Sequence, residues 1–259
     1  MNEWLHNLPV WWMAVVIFAI VYLVTGAIFA IIILLGRGEG EWAPVFKGAS
    51  PGLLSPLGTI FGLLVVFTIF QVWGDFDRAR LAVDREASAL RTVVLLASSF
   101  PGEPETQIRS LVRRHIDEAI ATEWPEMSKR SASLKIAPSA LAELLGFTLS
   151  LTPQSQGQIV AQREIVAALE NSMDARRQRI NLSRSTVNWV KWTCMFAQAA
   201  CALIAIAMVH SDNRAAAAIA MGIFATGVAV CALLIASHDE PFTGEISVKP
   251  DVPLQVRPE

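Results

Sequence analysis

From Trp11 to Leu35 the chain carries no charged side chain at all. A helix needs about 20 apolar residues to cross the hydrocarbon of a bilayer, and in hydrocarbon the helix satisfies every backbone group internally. The run is too long for the core of a signal peptide, and no A-x-A-like site follows it, so it is expected to stay as a span. Three further runs have the same character: Leu53 to Trp73, from near Trp192 to Val209, and from about Ala215 to Ser237. Composition agrees. The chain is 53% hydrophobic and only 17% charged, against about 25% charged in soluble domains. Tryptophans gather near the ends of these runs (Trp4, Trp11, Trp12, Trp42, Trp73, Trp189, Trp192), as in an interfacial aromatic belt. Small residues fill the last two, AQAACALIAIA and AAAAIAMGIFATG. Close packing there is expected through Ala199, Ala218, Gly222 and Ala225.

Four spans put both termini and the long middle segment on one side. Lys and Arg near the spans choose that side. The middle segment and tail offer Arg78, Arg80, Arg85, Arg91, Arg176, Arg177, Arg179, Arg184 and Lys249; the other side offers Arg37, Lys47 and Arg214. The termini and the middle segment are therefore expected to be cytoplasmic, in a bacterial inner membrane. The expected fold class is an all-α membrane protein: four transmembrane helices, with a helical cytoplasmic domain inserted between the second and third. The expected division is 1–73 first hairpin, 74–188 cytoplasmic domain, 189–237 second hairpin, 238–259 cytoplasmic tail.

Within 74–188 the apolar residues recur at helical spacing: Ile108, Leu111, Val112, Ile116, Ile120 and Trp124, then Ile159, Val166, Leu169, Met173 and Ile180. Breaks fall at FPGEPE (100–105), Trp124-Pro125, Ala137-Pro138 and TPQSQG (152–157). About four helices result, the first continuing the second span. The alternating charges of DFDRARLAVDREASALR read either as a solvated face with pairs such as Arg80–Asp84 or as a charged vestibule below a pore. DARRQRINLSR (174–184) reads as a positive-inside anchor of snorkelling arginines or as an anion-attracting ring.

Several function classes are disfavoured. Net charge is −2, so no global field points to nucleic acid. Cys194, Cys201 and Cys231 lie in apolar runs and form no disulfide framework. His6, His115, His210 and His238 have no metal-ligand spacing. No phosphate loop, nucleophile elbow or paired-His motif appears, and no span carries a catalytic charge. Neither an enzyme nor a cofactor is expected.

The segment GTIFGLLVVFTIFQVWGDFDRARLAVDREASAL resembles the bacterial bestrophin-like family. The resemblance rests on Gly58, Thr59, Leu63 or Leu64, Phe67, Trp73, Phe76, Ala79, Arg80, Val83, Glu86 and Ala87. It extends through Glu123-Trp124-Pro125 and Asp174, Ala175, Arg176, Arg177 and Arg179 to a closing motif of Asp239, Pro241, Phe242, Gly244, Val248 and Pro250. It covers most of 55–254 and is poorest over 131–158. Bestrophins proper are oligomeric anion channels in which an apolar helix forms a pore neck and continues into a charged cytoplasmic helix. The resemblance thus implies a homo-oligomeric, anion-preferring channel whose partners are its own copies, the bilayer and inorganic ions.

On that reading Leu63, Phe67 and Phe70, at i, i+4 and i+7 of one helix, form a neck that gates by dewetting. Gln71, Arg78 and Arg80 form the vestibule, and Gly58 and Gly62 allow neighbours to approach. The competing reading packs Leu63, Phe67 and Phe70 against the other spans. The closing motif reads either as a plain helix terminator, with Asp239, Pro241 and Gly244, or as a docking segment. In the second reading Phe242 enters the cytoplasmic helices and the tail wraps a neighbouring subunit. The alternative to a channel is a non-transporting scaffold whose helical domain binds a partner. A proton-driven stator is a third reading, since GTIFGLL resembles a stator element. There, however, the motif follows the cytoplasmic domain and works with an intramembrane acid that these spans lack.

Overall fold

A computed structural model describes residues 8–36, 50–134 and 138–259. Trp4, His6, Arg37, Trp42, Lys47 and Ala137 lie outside the described residues. Among those described the chain is all helical, without a strand. The helices are α1 (Val10–Gly36), α2 (Leu54–Ala97), α3 (Glu103–Glu118), α4 (Trp124–Ser128), α5 (Ser139–Ser150), α6 (Gln156–Leu182), α7 (Trp189–Val209), α8 (Arg214–His238) and α9 (Asp251–Val256). The chain forms two compact units. The first comprises Met1–Trp73 and Thr186–Asp239, the second Gly74–Ser185 and Glu240–Glu259.

Among the described residues, four helices are long and apolar enough to cross a membrane, within Val10–Leu34, Pro51–Ala97, Trp189–Val209 and Arg214–His238. In the first unit α1 buries Met13, Ile17 and Val21 at four-residue steps. Thr25 continues the same row, and its hydroxyl donates to Val21 O at 2.8 Å, so no polar group is left bare. These residues pack with Phe61, Val65 and Val72 of α2, Met195 and Ala199 of α7, and Ala225, Val228, Ala229 and Ala232 of α8. A hydrogen bond of 2.7 Å joins Tyr22 Oη and Thr226 Oγ1. The α7 helix begins three residues earlier than its apolar run, because the Asn188 side chain accepts from Val190 N and caps it. Asn213 does the same for α8, accepting from Ala216 N. The buried row of α8 is Ala217, Met221 and Ala225. Of the expected contacts, Ala199 and Ala225 are buried. Ala218 is exposed, and a Cβ on Gly222 would meet nothing within 4 Å. In the first half of α8 the packing face lies one residue away, at Ala217 and Met221 in place of Ala218 and Gly222, a rotation of about 100° that alanine-rich sequence cannot specify.

The α2 helix runs 44 residues without interruption, about 66 Å at 1.5 Å per residue and about twice the hydrocarbon thickness. Its only proline, Pro56, sits in the first turn, where the missing N–H is harmless. It ends at a turn in which Gly102 has φ +93°. Pro104 and the acids Glu103 and Glu105 then open α3. The Trp124-Pro125 pair does not end a helix. A π turn over Ala119–Glu123 carries α3 into α4, with Pro125 in the first turn of the new segment. The core of the second unit gathers Leu90 and Val93 of α2, Ile108, Leu111, Val112 and Ile116 of α3, Leu141 and Leu144 of α5, and Ile165 and Leu169 of α6. Ile159 and Val166, read as part of that face, are only half-buried, and Ala161, Ile165 and Ala168 hold the contact with Met173 packed against it.

Candidate functional site

In the first unit, α2 turns Phe61, Val65 and Val72 inward and leaves the opposite face open. Leu63 is 52% exposed, Phe67 70% and Phe70 67%. No span of the same chain covers them, so within one chain the packed-core reading is wrong. Phe61 takes that role, its ring 5.5 Å from that of Phe224. Gly58 and Gly62 likewise have no atom within 4 Å of where a Cβ would stand. They permit no close approach within the chain. At the end of the apolar stretch Gln71 Oε1 accepts from Lys191 Nζ of α7. Further along, Gln198 Nε2 donates to Leu57 O at 3.2 Å.

In the second unit, Arg78 is exposed and tied to its own helix, through Asp75 and through its Nε to Gly74 O at 3.0 Å. Asp75 also accepts from Ser185 Oγ at 2.7 Å. Arg80 makes no ion pair with Asp84, contrary to the expected i,i+4 pairing. Both line an open groove with Phe76, Lys249 and Asp251.

The strongest electrostatic feature of this unit is buried. Arg179 is 0% exposed. Its Nε donates to Glu86 Oε2 at 2.7 Å and its Nη2 to Glu86 Oε1 at 3.1 Å. Nη2 also reaches Glu123 Oε2 at 2.7 Å, and the guanidinium lies 4.6 Å from the Trp124 ring centroid. Arg176, also buried, donates through Nε to Glu123 Oε1 at 2.7 Å. His115 Nε2 lies 3.2 Å from Glu86 Oε1. Two carboxylates thus face two guanidinia, with the imidazole at one edge. Burial opposes ionisation of Glu86, but Arg179 and His115 outweigh it and hold its carboxyl at about 2. Glu86 lies well beyond the apolar part of α2, which ends at Trp73. Arg176 and Arg179 therefore neither snorkel to headgroups nor form a free anion ring. They are internal ties between α6, α2 and the π turn. Arg177 alone of the three stays exposed, 3.2 Å from Asp174.

The closing motif divides between the units. In the first, Asp239 is buried and accepts from Val187 N at 2.6 Å, fixing the end of α8 to the entry of α7. In the second, Phe242 packs with Ala79, Val83, Met127, Ala132 and Ile180, and its ring meets Trp124 edge-on at 6.3 Å. Gly244, at φ +83°, makes the turn behind it, and Val248 N donates to Pro241 O at 2.8 Å. The motif is more than a terminator, since Phe242 docks into helices of its own chain. The tail then stays on that chain. Trp124 Nε1 donates to Val248 O at 3.3 Å, and Arg257 clasps Asp117 at 2.7 and 2.9 Å.

A model of the bestrophin-like domain matches residues 23–252. No curated protein matches the chain. The fold is similar to the crystal structure of a bacterial bestrophin homologue from Klebsiella pneumoniae solved by Zn-SAD phasing. That chain is 12% identical, with TM-score 0.69 over 92% of this chain and 94% of that one. A point variant of the Klebsiella pneumoniae homologue gives TM-score 0.72 at 11% identity, over 93% and 96% of the two chains.

Proposed function

The chain belongs to the bestrophin-like family, and from that premise we propose that it is a homo-oligomeric, anion-preferring ion channel of a bacterial inner membrane. The α2 helices of several copies surround one axis. Leu63, Phe67 and Phe70 form the neck, and Gln71, Arg78 and Arg80 its vestibule. The termini and the helical domain of 74–188 are cytoplasmic.

One observation carries this reading: the face of α2 that the chain leaves open. It starts at Leu63, Phe67 and Phe70 and continues at steps of four and three through Gly74, Asp77, Leu81, Asp84, Ser88, Arg91 and Leu95, all exposed or half-exposed. Lipid accounts for an open apolar face on a span, as at Leu23 and Leu34 of α1. It does not account for the same row turning to Asp77, Asp84 and Arg91. An axis shared by copies of the helix meets both halves, since it is narrow and dry where the residues are apolar and wet where they are charged. A ring of phenylalanine and leucine side chains repels water from a small gap, and such a gap conducts only when wetted.

The test is Phe67→Ala in reconstituted bilayers. The reading expects a larger conductance than wild type with the assembly unchanged in size. Silence from both folded proteins, with anions and cations alike, removes the channel.

A further inference from the structure

Among the described residues of the first unit, four carry Asp, Glu, Lys or Arg side chains: Lys191, Asp212, Arg214 and Asp239. Asp212 lies in the turn between α7 and α8 and Arg214 opens α8, both at the far end of α7. Asp239 is buried, holding Val187 N. Lys191 is therefore the exposed charge at the other end of α7, and it is a cation. A lysine flanked by tryptophans at the end of a span ordinarily extends its ammonium to headgroups and water. Lys191 sits between such residues, Trp189 and Trp192, yet its ammonium turns to α2 and donates to Gln71 Oε1. Gln71 follows Phe67 by four residues and Phe70 by one, so it stands where the apolar row ends.

Resting on the channel reading above, we infer that Lys191 is a specificity-determining residue, whose ammonium, carried by every copy and steadied by Gln71, sets the preference for small inorganic anions at the foot of the neck. An anion entering an apolar constriction gives up part of its hydration shell. A fixed ring of positive charge beside the entrance offsets that cost for anions and adds to it for cations. Asp239, the first-unit carboxylate at this end of α7, is buried and taken up by Val187 N. The role of Gln71 changes accordingly, from a wetted vestibule residue to the acceptor that orients the ammonium.

The experiment is the reversal potential of the reconstituted chain under a KCl gradient, for wild type, Lys191→Arg, Lys191→Gln and Lys191→Glu. Wild type and Lys191→Arg are expected to sit toward the chloride equilibrium potential. Lys191→Gln should fall nearer to zero, and Lys191→Glu should move toward the potassium potential. Elution and melting in detergent report whether each variant assembles. Should Lys191→Glu fail to assemble, Lys191→Gln, neutral and still able to hydrogen-bond Gln71, carries the test. Current from the charge-altered variants at the wild-type reversal potential overturns the assignment of Lys191 and leaves the channel standing. No current from folded wild type overturns the channel and this inference together.

Discussion

Glu86 shows what a single side chain contributes here. Its carboxyl is held at about 2, against an ordinary 4.5. A carboxyl depressed in the folded state adds stability that is fully present above the unfolded value and is lost as pH falls through the folded one. The window is therefore from about pH 4.5 down to about 2, and the size is about 3 kcal/mol at 1.36 kcal/mol per unit. Melting in detergent should fall steeply with acid across that window in wild type. Glu86→Gln should start less stable at pH 7 and lose most of the slope, whereas equal slopes would mean that Glu86 is not the group responsible. Removal of Arg179, which leaves Glu86 and Glu123 buried without their partner, should cost about 3–5 kcal/mol. None of this pairing was legible in the sequence. The residues themselves stand out in the family pattern, but Glu86 and Arg179 are 93 positions apart. A run of arginines beside a span looks the same whether it meets headgroups or buried acids. Lys191 was missed for a related reason: beside two tryptophans it reads as an interfacial anchor, and only its turn toward Gln71 distinguishes it.

Elements were far more readable than partners. An uncharged run of this length in α1 has few alternatives to a helix. The continuation of α2 through DFDRAR was readable from the absence of any breaker before Pro101. The breaks at FPGEPE and TPQSQG lie where the helices change. The π turn at Ala119–Glu123 was not readable, because Trp124-Pro125 carries the same signal whether a proline ends one helix or opens the next. That turn matters, since its extra residue per turn changes the direction in which Glu123 and Trp124 leave the helix and meet Arg176 and Arg179. The joint between α2 and α3 gives a clean test of element-level strain. Gly102 adopts φ +93° and ψ −139°, a region that side chains other than hydrogen rarely enter. Space is not the obstacle, as an added Cβ meets nothing within 4 Å. Gly102→Ala should therefore cost about 1–3 kcal/mol through backbone strain alone. A melting curve identical to wild type would place the α2–α3 turn in another conformation.

At the scale of the whole molecule, the orientation proposed above rests on where cations gather. The rule acts on loops during insertion. Arg176 and Arg179 stay in the count although they are buried in ion pairs, because the rule counts Lys and Arg rather than net charge. Beside them stand Arg78, Arg80, Arg177 and Arg184 in the segment between the second and third spans. In the turn region between the third and fourth candidate spans, among the described residues, Arg214 alone stands against them. With four spans, the sides of the N-terminus, the 74–188 segment and the C-terminus are fixed together. The native Cys194, Cys201 and Cys231 all lie within α7 and α8, so a background without them keeps the labelling unambiguous. In that background a cysteine at Asn213, in the turn between α7 and α8, should react with an impermeant maleimide added to intact cells. A cysteine at Ser150, exposed at the end of α5, should react only after the membrane is opened. The reverse pattern would turn the molecule over. It would put Lys191 and the foot of the neck on the outer side, so that the ring inferred there would meet ions entering from outside the cell.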